Sequence, residues 1–175
     1  MSNAVNEDVL RELAAKQVIS ELSSRYMRGL DRLDAELLAS VFHDDARVNY
    51  GFFKGAAKDF IAFAIQALSG HAANHHMIGQ VLIELRGAEA SGEVYFQAFH
   101  RIVQGGAERD LFISGRYIDR YVQRDGVWKI AFRSELNDWA RTEPAADEYF
   151  GASPNGLRGA RKPDDGSYQR EKLEG

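Results

Sequence analysis

At 175 residues, with 45% apolar and 27% charged side chains and a formal net charge of −4, the chain has the balance of one globular domain able to bury its own core. Its lysines and arginines are scattered rather than striped, so neither a nucleic-acid nor an anionic-membrane partner is expected. The absence of cysteine removes disulfides, thiolate nucleophiles and cysteine-based metal sites from consideration.

No apolar run approaches membrane-spanning length and no charged-then-apolar leader opens the chain, so the expected location is the cytoplasm. Residues 1–7 read as an extension. Leu10, Leu13, Gln17, Leu22, Tyr26 and Leu30 then recur at helical spacing, with Ala14 and Val18 filling the same stripe, which predicts a long first helix. Asp8 is placed to cap it, and LDRLD (residues 30–34) ends it. A short second helix is expected from about Ala35 to Phe42, capped by Asp34, with Leu37, Leu38, Val41 and Phe42 facing inward. HDDARVNYGFFKG alternates and turns at Gly51, as a small hairpin does. AAKDFIAFAIQALSG predicts a third helix with Phe60, Phe63, Ala64 and Leu68 on its buried face and Gly70 at its end.

From His75 the period changes to two. HHMIGQVLIELRG, AEASGEVYFQAFHRIV, RDLFISGRYIDRYVQ and GVWKIAFRSELNDWA are four strand-like runs, separated by hairpin-type turns of which the last carries Asp125-Gly126. Helices first and an antiparallel meander afterwards predict an α+β domain over residues 8–141. Residues 142–175, rich in proline and glycine, read as a tail packed on the domain or on a neighbouring subunit.

Three of the five histidines, His71, His75 and His76, fall in the stretch SGHAANHHMIGQVLIEL that opens the first long strand. A neutral imidazole is a general base suited to neutral pH, one nitrogen held by a carboxylate and the other turned to substrate; a histidine hydrogen-bonded in the core is the competing reading of His76. Asp31 is a candidate for that carboxylate, though sequence separation does not show that the two touch. It sits in the last turn of the first helix, where the helix dipole disfavours a carboxylate, and reads either as a turn residue or as a group kept for chemistry. Strand parity leaves open which face lines a pocket. His75 alternates with Met77, Val81, Ile83 and Leu85, and His76 with Ile78, Gln80, Leu82 and Glu84, while Gly79 could bulge the strand and exchange the two faces. No metal site is expected, because the helix ends before His71 and His75 could share a face and His-Glu-x-x-His is missing.

Tyr26, five residues before Asp31, and Tyr50, at the close of the first hairpin strand, can offer phenolic hydroxyls to a substrate oxygen; packed rings with their hydroxyls near water are the alternative. Arg133, in WKIAFRSE, reads as an anion or leaving-group clamp or as a surface ion pair. A serine nucleophile elbow, a P-loop and a dinucleotide-binding fingerprint are all missing, and no cofactor is expected.

RYMRGLDRLDAELLASVFHDDA, NHHMIGQVLIE, YFQAFHR and DGVWKIAFRSELNDW, in that order, resemble the SnoaL-like branch of the NTF2-like superfamily, the group of scytalone dehydratase, hexachlorocyclohexane dehydrochlorinase and bile-acid 7α-dehydratase. The resemblance spans about residues 8–141 and implies a cone of three N-terminal helices packed on a curved, mainly antiparallel sheet enclosing an apolar pocket. It implies an Asp31–His76 general-base dyad with Tyr26, Tyr50 and Arg133 as substrate-binding groups. The usual asparagine of the histidine strand is Gln80 here, and a pocket arginine of the bile-acid enzyme falls at Asn137. On this reading His75 faces away from the pocket and His71 belongs to the loop.

The function so implied is a cofactor-independent lyase, a dehydratase or dehydrohalogenase or a related isomerase or cyclase, acting on a small hydrophobic cyclic molecule. A homo-oligomer is expected, a trimer before a dimer. The alternatives from another class are a small-molecule binding module that has lost its reaction and an accessory subunit of the same fold.

Overall fold

A computed structural model of the protein describes residues 6–146 and 148–173. Helix α1 spans Glu7–Arg32, α2 Ala35–Ser40 and α3 Ala57–Ser69; between the last two lie strands β1 (Phe42–Asn49) and β2 (Lys54–Ala56). Four long strands follow, β3 (Ala73–Arg86), β4 (Glu89–Gln104), β5 (Ala107–Arg124) and β6 (Val127–Pro144), then a single-turn helix α4 (Tyr149–Ala152) and two 3₁₀ turns. The six strands form one curved, unclosed sheet in the order β2-β1-β6-β5-β4-β3, antiparallel except where β1 runs parallel to β6. This is the α+β architecture of the NTF2-like fold, with the helices gathered on the concave face.

Local chemistry explains the boundaries. Asn6, not Asp8, caps α1, its side chain accepting from the Asp8 amide at 2.9 Å; Asp8 lies in the first turn, where its charge suits the helix dipole. Asp34 caps α2 by accepting from the Leu37 amide, and α2 stops at Ser40 because Val41 and Phe42 turn into the core and β1. Gly29 lets α2 approach α1 closely, since a Cβ there would come within 2.6 Å of the Leu38 side chain. The β5–β6 turn uses Asp125 (φ +51°) and Gly126 (φ +79°), the two left-handed residues of a tight hairpin.

Two expected faces differ from those observed. Leu10, Leu13 and Val18 are exposed, and α1 is buried only from Ile19 onward, through Leu22, Tyr26, Met27 and Leu30. A 26-residue helix is roughly 39 Å long, so its first turns lie out by the hairpin ends at Gly87 and Gly126 rather than over the sheet. On α3, Ile61 is buried and Phe63 is 42% exposed, stacking instead beside Phe52 and Phe53 at the tip of the small hairpin. Among the described residues no helix is long and apolar enough to cross a membrane.

Candidate active site

One inserted residue decides what β3 presents to the interior. Ile78 pairs with Phe96 and Val81 with Val94, so β3 spends three residues where β4 spends two, a bulge at Gly79 and Gln80. Before it, Asn74, His76 and Ile78 face inward; after it, Val81, Ile83 and Leu85 do. His75 and Met77 point away. The bulge therefore puts an imidazole and the apolar half of the strand on the same side, which unbroken alternation cannot do.

Helix α1 packs along this strand and brings Asp31 to it. Asp31 Oδ1 lies 2.7 Å from His76 Nδ1, and both carboxylate oxygens accept from the His76 main-chain N–H at 3.1 Å. Both side chains are almost completely enclosed. With Asp31 ionised, Nδ1 carries the proton and Nε2 the lone pair; no described residue hydrogen-bonds Nε2. Ser24, Met27, Ile78 and the polar groups Arg28, Arg32 and Asp165 line a groove of about 510 Å³ with the pair.

Tyr26 and Tyr50 meet elsewhere. Five residues past Tyr26 is roughly 140° around the helix, so Tyr26 points into the sheet's interior while Asp31 points at β3. The two phenolic oxygens are 2.6 Å apart, and Tyr50 stacks on Phe60 with ring centroids 4.1 Å apart. Burial pushes the Tyr26 hydroxyl up to about 12, against the lowering pull of Arg133, and burial likewise holds Tyr50 well above the ordinary value. Both are therefore neutral at any ordinary pH, one hydroxyl donating to the other.

Arg133 sits between Tyr26 and Tyr117, its guanidinium 4.3 Å and 4.1 Å from their ring centroids. Its ion pair is not at the surface. Nε and Nη2 grip Asp119 at 2.8 and 2.7 Å, both side chains have no solvent exposure, and Tyr121 donates to the same carboxylate at 2.6 Å. Only Nη1 is left without a partner. No hydrogen bond or ion pair among the described residues joins this aromatic cluster to Asp31 and His76.

Several groups around the two sets escaped sequence reasoning. His100 faces inward from β4, its ring centroid 5.1 Å from that of His76 and also from that of His71; burial, then the neighbouring imidazoles, lowers its pKa to about 3. Glu135, opposite Tyr117 in the β5–β6 register, is pushed up to about 7 by burial. Asp119 shares its strand parity with Tyr117 and Tyr121, and a carboxylate on an otherwise aromatic face was the available signal for a buried partner. Gln80 and Asn137, the two departures from the family pattern, are both exposed.

The tail closes over the end of α1. Lys162 N–H donates to Arg32 O at 2.9 Å, Arg32 pairs with Asp165 at 2.8 Å, Lys162 and Tyr168 reach Asp34 at 3.1 and 2.8 Å, and the Arg161 guanidinium donates to the main-chain carbonyl of Asp31. Among the described residues no three histidines, aspartates or glutamates are grouped to hold a metal ion.

An α+β cone whose first helix sets a carboxylate against an imidazole on the sheet defines a class of small pocket-forming domains. The sequence profile of the SnoaL-like domain matches residues 11–134, and the chain belongs to that family. Among solved structures it is similar to a type 2 hexachlorocyclohexane dehydrochlorinase (21% identity over 88% of this chain and 98% of that one, TM-score 0.69). It is also similar to a scytalone dehydratase candidate from Novosphingobium aromaticivorans (22%, 87% and 95%, TM-score 0.66) and to the Kfla4162 protein of Kribbella flavida (17%, 71% and 91%, TM-score 0.65). Likeness at these identities establishes the fold. No curated protein matches the sequence.

Proposed function

We propose that the chain is a cofactor-independent lyase acting on a small hydrophobic cyclic molecule, removing a proton from carbon and expelling water or halide; isomerisation or cyclisation would use the same groups. The observation that carries this reading is the 2.7 Å contact between Asp31 Oδ1 and His76 Nδ1, with Nε2 left unbonded. The C–H electron pair becomes the new double bond as the proton passes to Nε2 and the leaving group departs with its own pair. Asp31 holds the tautomer and stabilises the imidazolium that results. General-base catalysis contributes about 10²–10⁴-fold. The family resemblance assigns Tyr26 and Tyr50 to a substrate oxygen and the unpartnered Nη1 of Arg133 to developing negative charge. All three are buried outside the groove over His76, so on this reading substrate must part the aromatic cluster to reach them. Structural neighbours described as a dehydrochlorinase and a dehydratase candidate support elimination as the reaction class.

The test is proton exchange at the α-carbon of a cyclic ketone in D₂O, followed by NMR. Wild type accelerates it, and His76→Ala and Asp31→Asn remove most of that acceleration; exchange unchanged in both variants overturns the lyase reading.

A homo-oligomer, with a trimer favoured, is part of the same proposal. Met77, Leu82, Ile118, Leu136 and Trp139 are exposed on the convex face of the sheet, an apolar surface that a second copy could cover. Light scattering at several concentrations decides it, a concentration-independent monomer being the contrary result.

A further inference from the structure

Beside the groove over Asp31 and His76, and sharing Arg32 with it, lies a second groove of about 870 Å³ between the tail and the first residues of β3. Its walls bring together four guanidinium groups, from Arg32, Arg101, Arg158 and Arg161, and two aromatic rings, Phe99 and Phe150. Two of the cations are matched: Arg32 by Asp165 at 2.8 Å and Arg101 by Asp110 at 2.8 and 2.9 Å. Among the described residues Arg158 and Arg161 form no ion pair, and Glu108 is the single acid among the described lining residues.

We propose that this groove binds a carboxylate or phosphate carried on a flat apolar body, Arg161 and Arg158 holding the anion while Phe99 and Phe150 take the apolar part. Arg161 is half-buried and held entirely by neutral oxygens: the main-chain carbonyls of Asp31 and His71 and, with the Asn74 amide oriented to satisfy its neighbours, Asn74 Oδ1 at 3.1 and 3.2 Å. A guanidinium fixed in this way is pre-oriented, and among the described residues it makes no direct ion pair, the Asp31 charge acting on it only from a distance. Burial, then the adjacent Arg32, press its pKa below the ordinary arginine value against the raising pull of Asp31, a cost that an incoming anion would reduce. Arg158 lies over the Phe150 ring at 4.2 Å, with Nη2 donating to the Phe150 carbonyl at 3.5 Å, so it too is ordered before any ligand arrives. Arg161 also sits at the C-terminal end of α1, where a cation is favourable. That accounts for one arginine; it does not account for Arg158 or for the two rings that line the groove.

The test is calorimetric titration of the full chain with naphthoate, naphthyl phosphate and the neutral naphthylmethanol. At least one anion should bind about tenfold or more tightly than the alcohol, since hydrogen bonds to charged groups are stronger than those to neutral ones, and the preferred anion identifies carboxylate or phosphate as the ligand chemistry. Arg161→Gln and Arg158→Gln should each weaken that anion by about tenfold or more, and added salt should weaken it in wild type. Among the described residues Arg158 hydrogen-bonds and stacks with Phe150 alone, so Arg158→Gln leaves the tail's anchors at Asp31, Arg32 and Asp34 in place and its effect is separable from undocking of the tail. The site lies outside the proposed proton-abstracting pair, and binding is read without any turnover. Equal affinity for the alcohol, no binding by either anion, or wild-type affinity in both variants overturns the proposal.

Discussion

Asp31 makes three contacts to a single residue: its two oxygens share the main-chain N–H of His76 and one of them also takes the ring Nδ1. One carboxylate thus fixes where β3 begins and how its imidazole is turned. Asp31→Asn keeps the shape but puts an amide where a charge stabilises imidazolium, and activity should fall by about 10²–10⁴-fold with folding largely retained. Asp31→Ala removes the acceptors as well and should lose both activity and stability. Exchange rates and urea denaturation of the two variants, measured together, separate the two effects.

Tyr26 and Tyr50 hold each other at 2.6 Å inside an aromatic cluster. Removing one hydroxyl leaves the other buried without its partner, a loss of about 1–3 kcal/mol. Tyr26→Phe and Tyr50→Phe should each destabilise, and the double variant should cost less than their sum. Additive losses in a double-mutant cycle would show that the bond contributes nothing net.

Arg133 and Asp119 have no exposure and depend on each other. Arg133→Met strands the Asp119 carboxylate in the core and should cost about 3–5 kcal/mol. Pairing it with Asp119→Leu should recover much of that loss. Denaturant midpoints of the single and double variants are the measurement; a single variant as stable as wild type contradicts the buried pair.

His100 and Glu135 pull stability in opposite directions with pH. His100 titrates near 3 when folded and near 6.5 when unfolded, so below about 6.5 the unfolded chain takes up a proton that the fold refuses, and stability falls as pH drops toward 3. Glu135 titrates near 7 when folded against 4.5 unfolded; its contribution is complete below 4.5 and is lost as pH rises to about 7. Between 4.5 and 6.5 the two slopes oppose each other in the wild type. His100→Gln should therefore become less stable as pH rises through that window, and Glu135→Gln more stable. Urea unfolding at pH 4.5, 5.5 and 6.5 reads both signs.

Much of this was legible in the sequence because period and punctuation carry fold directly. The three helices, the hairpin at Gly51 and the four long strands follow from spacing and turn residues. The outward face of α1's first turns was not legible, since periodicity marks a stripe without saying how far the sheet extends beneath it. Asp31 and His76 could be named as candidates, but a separation of 45 residues carries no distance, and parity alone could not place His76 without the bulge at Gly79. Arg133 was ambiguous because its partner, Asp119, lies on another strand and only the β5–β6 register brings them face to face. The tail's contacts were invisible for the same reason: Arg161 meets Asp31 across 130 positions with no motif to announce it.

Residues 160–168 grip the last turn of the very helix that carries Asp31. This strap holds the Asp31 main-chain carbonyl while the Asp31 carboxylate holds His76, so the tail secures the backbone from which the acid is presented and leaves the acid itself to the imidazole.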